Sequence, residues 1–357
     1  MIQNEVTEMH NGLYLDFSCD YMEGAHPRIL ERLAETNMEQ LAGYGFDPYC
    51  VSAREKILCA CGVPDGEVYF LTGGTQANAV MIDALLASYQ GVLCAESGHI
   101  SVHEAGAIES NGHKVLALPH RNGKISAADV RAAAAAWHED GNRDHMVMPG
   151  MVYISQPTEY GTLYSIEELT AIRDICHEYG MYLYVDGARL AYALASPAND
   201  VTLKDLAALC DAFYIGGTKC GALIGEAVVI PRRGLIPHFF SIIKQHGALL
   251  AKGRLIGIQF DVLFEDDLYL HIGETAVACA QRLQEVLGAT GMSLPFHSPT
   301  NQVFVTLEDS VKAQLEERLG FSFWEKPDAN HTTVRLATSW ATRPEAVEQL
   351  ELLLKRL

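Results

Sequence analysis

Two apolar runs of strand type end in residues able to do chemistry. Met181-Tyr-Leu-Tyr-Val-Asp186-Gly-Ala-Arg189 delivers a carboxylate and then a guanidinium. Ala212-Phe-Tyr-Ile-Gly-Gly-Thr-Lys219 ends in two glycines, a hydroxyl and a lysine. An aspartate closing so apolar a run is costly to bury unpaired. A lysine is usually a surface residue, but here small residues leave room for a ring beside it, with the Thr218 hydroxyl next door. Together the pair suits pyridoxal 5'-phosphate. The amine forms the Schiff base with the cofactor aldehyde, and the carboxylate keeps the pyridine nitrogen protonated so that the ring takes up electrons. The plainer alternatives are a surface lysine after a turn and an aspartate that caps the next helix. Arg189 either neutralises Asp186 or reaches the cofactor's phenolic oxygen.

Three other segments add to this chemistry. Thr72-Gly73-Gly74-Thr75-Gln76-Ala77-Asn78 joins a strand to a helix. Its glycines let the backbone approach an anion, helix N-terminal amides point at it, and Thr75 adds a hydroxyl. It is neither a Walker A nor a Gly-x-Gly-x-x-Gly sequence, and a simple glycine turn with a threonine cap is the alternative. His99 lies just past a strand in Glu96-Ser-Gly-His-Ile-Ser-Val-His-Glu-Ala-Gly-Ala-Ile-Glu109. An imidazole there can stack on a pyridine face or act as a base near neutral pH. The chain has 14 histidines, so most are structural or solvated, and His103 and His145 are read with that majority. Arg335, in Thr333-Val-Arg-Leu-Ala-Thr-Ser-Trp340, needs an anionic partner: a substrate α-carboxylate or an internal salt bridge.

The elements that must position these residues alternate. Strands are expected at 67–71, 91–95, 113–118, 151–155, 181–186, 212–216 and 225–230. Helices are expected at 76–89, 102–110, 127–138 and 165–179, the last opened by a Ser165/Glu168 capping box. Short apolar runs between amphipathic helices predict an α/β fold with a mostly parallel central sheet covered on both faces. Ligands sit at the carboxyl ends of strands in such sheets, where Thr72–Thr75, Asp186 and Lys219 all fall. A long, mostly helical stretch over 235–287 then leads to a smaller α+β region with a strand at 333–337 and a closing helix at 343–357. The expected organisation is an N-terminal segment (1–20), a large domain (21–245) and a small C-terminal domain (246–357).

The 357 residues are 49% hydrophobic and 20% charged, with a net charge of -19. That balance suits a well-packed globule and argues against nucleic acid or anionic membrane as partners. Met1–Glu8 has no basic region ahead of an apolar core, so no secretory signal is read. No apolar run reaches the length of a membrane span. The nine cysteines are scattered, and Cys59-x-Cys61 is not a zinc spacing, so free thiols in a reducing cytoplasm and no metal site are expected.

At these residues the chain resembles the threonine aldolase branch of the fold-type I PLP enzymes, a group that also contains β-eliminating lyases. The resemblance runs from Leu15-Asp-Phe-Ser-Cys-Asp20 through Tyr44-Gly45, Gly73-Gly-Thr-Gln-Ala-Asn78, Gly98-His-Ile, Val185-Asp-Gly-Ala-Arg189 and Gly216-Gly-Thr-Lys219 to Val334-Arg-Leu-Ala-Thr-Ser-Trp340. It implies that Lys219 carries the cofactor, Asp186 pairs with its pyridine nitrogen, and Arg189 pairs with its phenolic oxygen and also reaches the substrate carboxylate. Gly74 and Thr75 would hold the phosphate beside the Thr218–Lys219 turn, helped by a basic residue of a neighbouring subunit, Lys252 or Arg254. His99 would stack on the ring and meet the β-hydroxyl region, and Ser18 and Arg335 would bind the substrate carboxylate. Homodimers with active sites at their interface, pairing into homotetramers, are implied too. The implied activity is cleavage of a β-hydroxy-α-amino acid such as threonine to glycine and an aldehyde, with β-elimination or transamination as the alternatives. Two departures bear on substrate preference. Glu159, in Gln156-Pro-Thr-Glu159, stands where some members carry a histidine, and Cys220 follows the lysine where Gly or Asn is more usual.

Overall fold

A computed structural model of the chain describes residues 14–355. Residues 1–13 of the expected N-terminal segment, with the stretch read for a signal, lie outside the described residues, as do the last two residues of the closing helix. The chain forms two compact units, residues 24–273 and residues 1–23 with 274–357. The division falls inside the helix Leu268–Ala289.

Among the described residues of the larger unit, seven strands make one sheet. They are β1 (Glu67–Leu71), β2 (Gln90–Ala95), β3 (Lys114–Leu118), β4 (Met148–Ser155), β5 (Tyr182–Asp186), β6 (Ala212–Gly216) and β7 (Glu226–Ile230). Their spatial order is β1-β7-β6-β5-β4-β2-β3. The pairs β2–β3, β2–β4, β4–β5 and β5–β6 are parallel, whereas β7 runs antiparallel to both of its neighbours. All strands except β7 therefore point the same way, and their carboxyl ends share one edge. This is the expected fold class. Every residue of β6 and β7 is buried, as both-sided cover requires, which is why these strands read as continuous apolar runs rather than alternating ones. Val80, Met81, Val92, Tyr153, Tyr184 and Val228 lie in one core cluster. Each fully buried aliphatic side chain there contributes about 1.5–3 kcal/mol.

Local sequence explains the helix ends. Ile166–Tyr179 opens on the Ser165/Glu168 capping box and stops at Gly180, whose φ of 66° is left-handed. One expected helix is broken. Residues 102–110 give two short helices, His99–Val102 and Ala107–Ser110, because Ala105 (φ 50°) and Gly106 (φ 73°) take left-handed backbone between them. The turn buries Glu104. The stretch 235–287 likewise divides into Phe239–Gln245, Arg254–Leu263 and Leu268–Ala289. Gly247 (φ 65°) interrupts the first gap, and Asp266 and Asp267 (φ 54° and 55°) the second.

In the smaller unit, β8 (Gln302–Glu308), β9 (Ser322–Glu325) and β10 (His331–Ala337) form an antiparallel sheet in the order β9-β10-β8. Leu283, Val303, Val305, Val334, Leu336 and Leu350 lie in its core. The N-terminal segment joins by a short parallel pairing of Leu15–Asp16 with Leu319–Gly320 and by the Ala337 amide donating to Phe17 O at 2.8 Å. Among the described residues no helix is long and apolar enough to cross a membrane.

Candidate active site

β5 carries Asp186 to the carboxyl edge, where it is 4% exposed. Four donors converge on it. The Tyr153 hydroxyl (2.6 Å) and Asn78 Nδ2 (3.0 Å) donate to Oδ2. The Ala188 amide (3.0 Å) and the Tyr214 hydroxyl donate to Oδ1. Burial pushes the carboxyl pKa up, but His99, the two tyrosines and the Ala188 amide outweigh it and hold the group below its ordinary value. Asp186 is thus a buried, ionised carboxylate. A pyridinium N–H would have to share an oxygen that already accepts from two of these donors.

The turn after β1 begins the helix Gly74–Leu85. Its N-cap, Gly73, is extended (φ -172°) and supplies no side-chain cap, and a Cβ on Gly73 would meet nothing within 4 Å. The opening backbone amides of the helix have no side-chain cap, and such amides suit an anion. Gln76 Oε1 fixes the turn from behind, accepting from the Thr72 amide (3.0 Å) and hydroxyl (2.7 Å).

β6 leads into the Lys219 turn. The Gly217 and Thr218 amides both donate to Gly225 O at 3.1 Å, and the Gly225 amide donates to Thr218 Oγ1 at 3.1 Å. The Tyr192 hydroxyl donates to Lys219 O. The two glycines have a reason other than room for a ring. A Cβ on Gly216 would lie 2.3 Å from Ala188 O, and one on Gly217 2.5 Å from Gly225 O, so backbone packs directly on backbone. Beneath the turn, Glu226 Oε2 accepts from the Gly217 amide at 2.9 Å. Burial pushes the Glu226 carboxyl up to about 8, against the pull of the Gly217 amide, the Thr218 hydroxyl and the Lys219 charge.

His99 follows β2 and is part-buried. Its Nδ1 lies 2.7 Å from Glu104 Oε1. Burial pushes the imidazole pKa down, but Glu104, Glu159 and Asp186 outweigh that and the Lys219 charge, and the net shift is upward. Glu159 is buried with Arg189, its Oε2 3.9 Å from Nη1. Cys220 is buried, with Sγ 3.8 Å from Ala188 O.

Of the residues singled out from sequence, Gly74, Thr75, His99, Asp186, Arg189, Thr218 and Lys219 lie in the larger unit. The Asp186 and Lys219 charges both act on the His99 imidazole, and His99 acts in turn on Asp186. Ser18 and Arg335 belong to the smaller unit. There the Ser18 hydroxyl contacts Met22 Sδ at 3.6 Å, and Arg335 donates to Gln302 Oε1 at 3.1 Å with its guanidinium over the Trp324 ring. Arg254 donates to the carbonyls of Thr36, Asn37 and Glu39, and Lys252 is exposed. Sequence reading passed over Tyr153, Tyr214, Glu104 and Glu226 and gave Asn78 no role. The available signals were faint: Asn78 lies one helical turn past Gly74, and Glu104 lies five residues past His99.

Viewed from its carboxyl edge, this sheet is that of the fold-type I PLP enzymes, and the residues present fit the cofactor. The ionised Asp186 suits a protonated pyridine nitrogen, the open Gly73–Thr75 amides suit a phosphate, and Lys219 offers an amine. The β-eliminating lyase family model matches residues 16–310. A low specificity L-threonine aldolase from Pseudomonas aeruginosa is 33% identical over 94% of this chain and 95% of its own. A solved threonine aldolase from Leishmania major is 44% identical with a TM-score of 0.93, over 96% of this chain and 99% of that one. An aspartate aminotransferase variant from Thermus thermophilus, 17% identical with a TM-score of 0.71 over 100% and 95% of the two chains, shares the fold. The chain belongs to the β-eliminating lyase family.

Proposed function

We propose that this chain is a PLP-dependent carbon–carbon lyase that cleaves L-threonine, L-allo-threonine and related β-hydroxy-α-amino acids to glycine and an aldehyde. The observation that carries this reading is whole-length similarity to enzymes named for threonine, 33% identical from Pseudomonas and 44% from Leishmania.

When bound, PLP supplies the electron sink for the broken Cα–Cβ bond. The chain's own residues do the rest. Lys219 Nζ would be the amine that holds the cofactor. Asp186 keeps a proton at the pyridine nitrogen. Gly74 and Thr75 hold the phosphate, with Thr218 beside them, and Arg189 faces the phenolic oxygen. Arg189 would bind the substrate carboxylate, the role that the sequence also gives to Ser18 and Arg335. His99 stacks on the ring and takes the β-hydroxyl proton, directly or through water. The proton lost from the β-hydroxyl balances the one that Cα gains in glycine.

A homodimer or homotetramer with Lys252 or Arg254 reaching a neighbour's phosphate belongs to the same reading. Exposed aromatic surface supports association. Phe46 is 67% exposed and Phe240 38%, their rings are 5.7 Å apart, and both line a cavity of about 550 Å³ with Tyr44. The cytoplasm is the proposed location, supported by nine free thiols.

Acetaldehyde release from L-threonine and L-allo-threonine by the PLP-loaded protein, read through coupled alcohol dehydrogenase, tests the activity. Release from either substrate supports it. A family described as β-eliminating favours one second reading: with no acetaldehyde, pyruvate and ammonia from a cysteine- or tyrosine-like substrate would replace the first.

A further inference from the structure

Glu104 has no part in the mechanism above, yet its surroundings single it out. Its carboxyl is buried, with Oε1 2.7 Å from His99 Nδ1. The same Oε1 accepts from Asn78 Nδ2 at 2.7 Å, and that nitrogen also donates to Asp186 Oδ2 at 3.0 Å. Asn78 Oδ1 accepts from the Tyr184 hydroxyl at 3.2 Å, so both amide hydrogens and the oxygen have fixed partners. An unbroken chain therefore runs from His99 through Glu104 and Asn78 to Asp186.

Two observations set Glu104 apart from an ordinary structural acid. Its Oε2 is buried with no hydrogen-bond partner among the described residues, an omission that costs about 1–3 kcal/mol. The residue after it, Ala105, is held at φ 50°, backbone that L-residues adopt at a cost. Stability alone gains nothing from either. Both follow if the carboxyl must reach His99 from below.

We propose that Glu104 is the positioning residue for His99, and that Asn78 joins the His99–Glu104 pair to Asp186 so that protonation at one end of the cofactor site is felt at the other. With Nδ1 held by Glu104, the imidazole presents Nε2 to the ligand in one orientation. The groups facing His99 are Glu104, Glu159, Asp186 and Lys219, with the His103 ring 5.7 Å away. Glu104 lies closest of the carboxylates and makes the direct bond, so it governs the imidazole proton. Asn78 stabilises negative charge on Glu104 and Asp186 alike. Its loss removes a donor that competes with His99 for Glu104 Oε1, and so draws the His99 proton in more firmly.

The inference rests on the functional reading only in taking His99 and Asp186 as cofactor contacts, and its test needs no turnover. The readout is the His99 titration in ¹⁵N-histidine-labelled, PLP-loaded protein without substrate, assigned with His99→Gln. Glu104→Gln is expected to lower the His99 midpoint by about one pH unit or more, and Glu104→Asp to restore most of it. Asn78→Ala is expected to raise it. In turnover, the acid limb of kcat/KM should move with the midpoint while KM changes little. A His99 midpoint unmoved by Glu104→Gln overturns the positioning role. A midpoint that moves there but not in Asn78→Ala overturns the link to Asp186. Absence of threonine cleavage with both shifts present would sink the aldolase reading and leave this one standing.

Discussion

A Cβ on Gly74 would stand 2.9 Å from the hydroxyl oxygen of Tyr214. That hydroxyl donates to Asp186. The first residue of the helix proposed to face the phosphate and a clamp on the carboxylate proposed to face the pyridine are therefore packed against each other. Gly74→Ala must push Tyr214 off Asp186 or shift the helix start. PLP affinity is expected to fall about tenfold or more, equivalent to ~1.4 kcal/mol, as measured by absorbance titration of the cofactor-free protein. Gly73→Ala is the contrast, because a methyl there meets no protein atom within 4 Å. It should leave the melting temperature of the cofactor-free protein unchanged. Equal PLP affinity for Gly74→Ala and wild type would refute the coupling.

Lys219 closes a turn whose backbone is fixed without its side chain, through Gly217, Thr218 and Gly225. Lys219→Ala should fold with an unchanged far-UV spectrum and lose the visible absorption band of the loaded enzyme. Turnover should fall by roughly a thousandfold or more. Retention of the band and of turnover would remove Lys219 from the site.

Asp186 and Lys219 are legible in the sequence because an apolar strand ends at each, and parallel strands bring those ends to one edge. What surrounds them is not. Tyr153 and Tyr214 act through contacts with Asp186 across 33 and 28 positions, and Asn78 across 108. Each reads locally as core. The helix expected over 102–110 shows why Glu104 was passed over: helix propensity carries no sign of a left-handed Ala105, and an unbroken helix would not turn Glu104 inward. Gly216 and Gly217 are visible as glycines, but the carbonyls that require them are not: that of Ala188 comes from a separate segment, and that of Gly225 from across the turn. Local composition places the catalytic ends, and tertiary packing decides their electrostatics.

Glu159 pairs with Arg189 at 3.9 Å. It also helps to raise the His99 pKa. Glu159→His removes a negative charge facing both. A raised imidazole pKa means that a base at His99 gains activity as pH rises through it. The acid limb of kcat/KM should therefore move to lower pH in the variant. The preference between L-threonine and L-allo-threonine is expected to change by about threefold or more, since Arg189 loses its contact with Glu159. A coupled acetaldehyde assay across pH with both substrates checks this, and an unchanged limb with an unchanged ratio would show Glu159 to be a bystander.

Glu226 makes the sharpest stability prediction. Its folded carboxyl is pushed up to about 8 from an ordinary value of 4.5, chiefly by burial. Below 4.5 both folded and unfolded chains hold the proton, and the residue has no pH-dependent effect. Between 4.5 and about 8 the unfolded chain ionises while the folded one keeps its proton, so the folded state binds more protons and stability falls as pH rises. Above about 8 both forms are ionised and the loss is complete, on the order of a few kcal/mol. Glu226→Gln removes this titration and still offers an oxygen to the Gly217 amide. The stability gain of the variant over wild type, from urea unfolding of the cofactor-free protein, should be small near pH 5, grow through pH 7 and level off above pH 8. A difference that stays flat across this range would mean that Glu226 ionises in the folded protein as freely as in the unfolded chain.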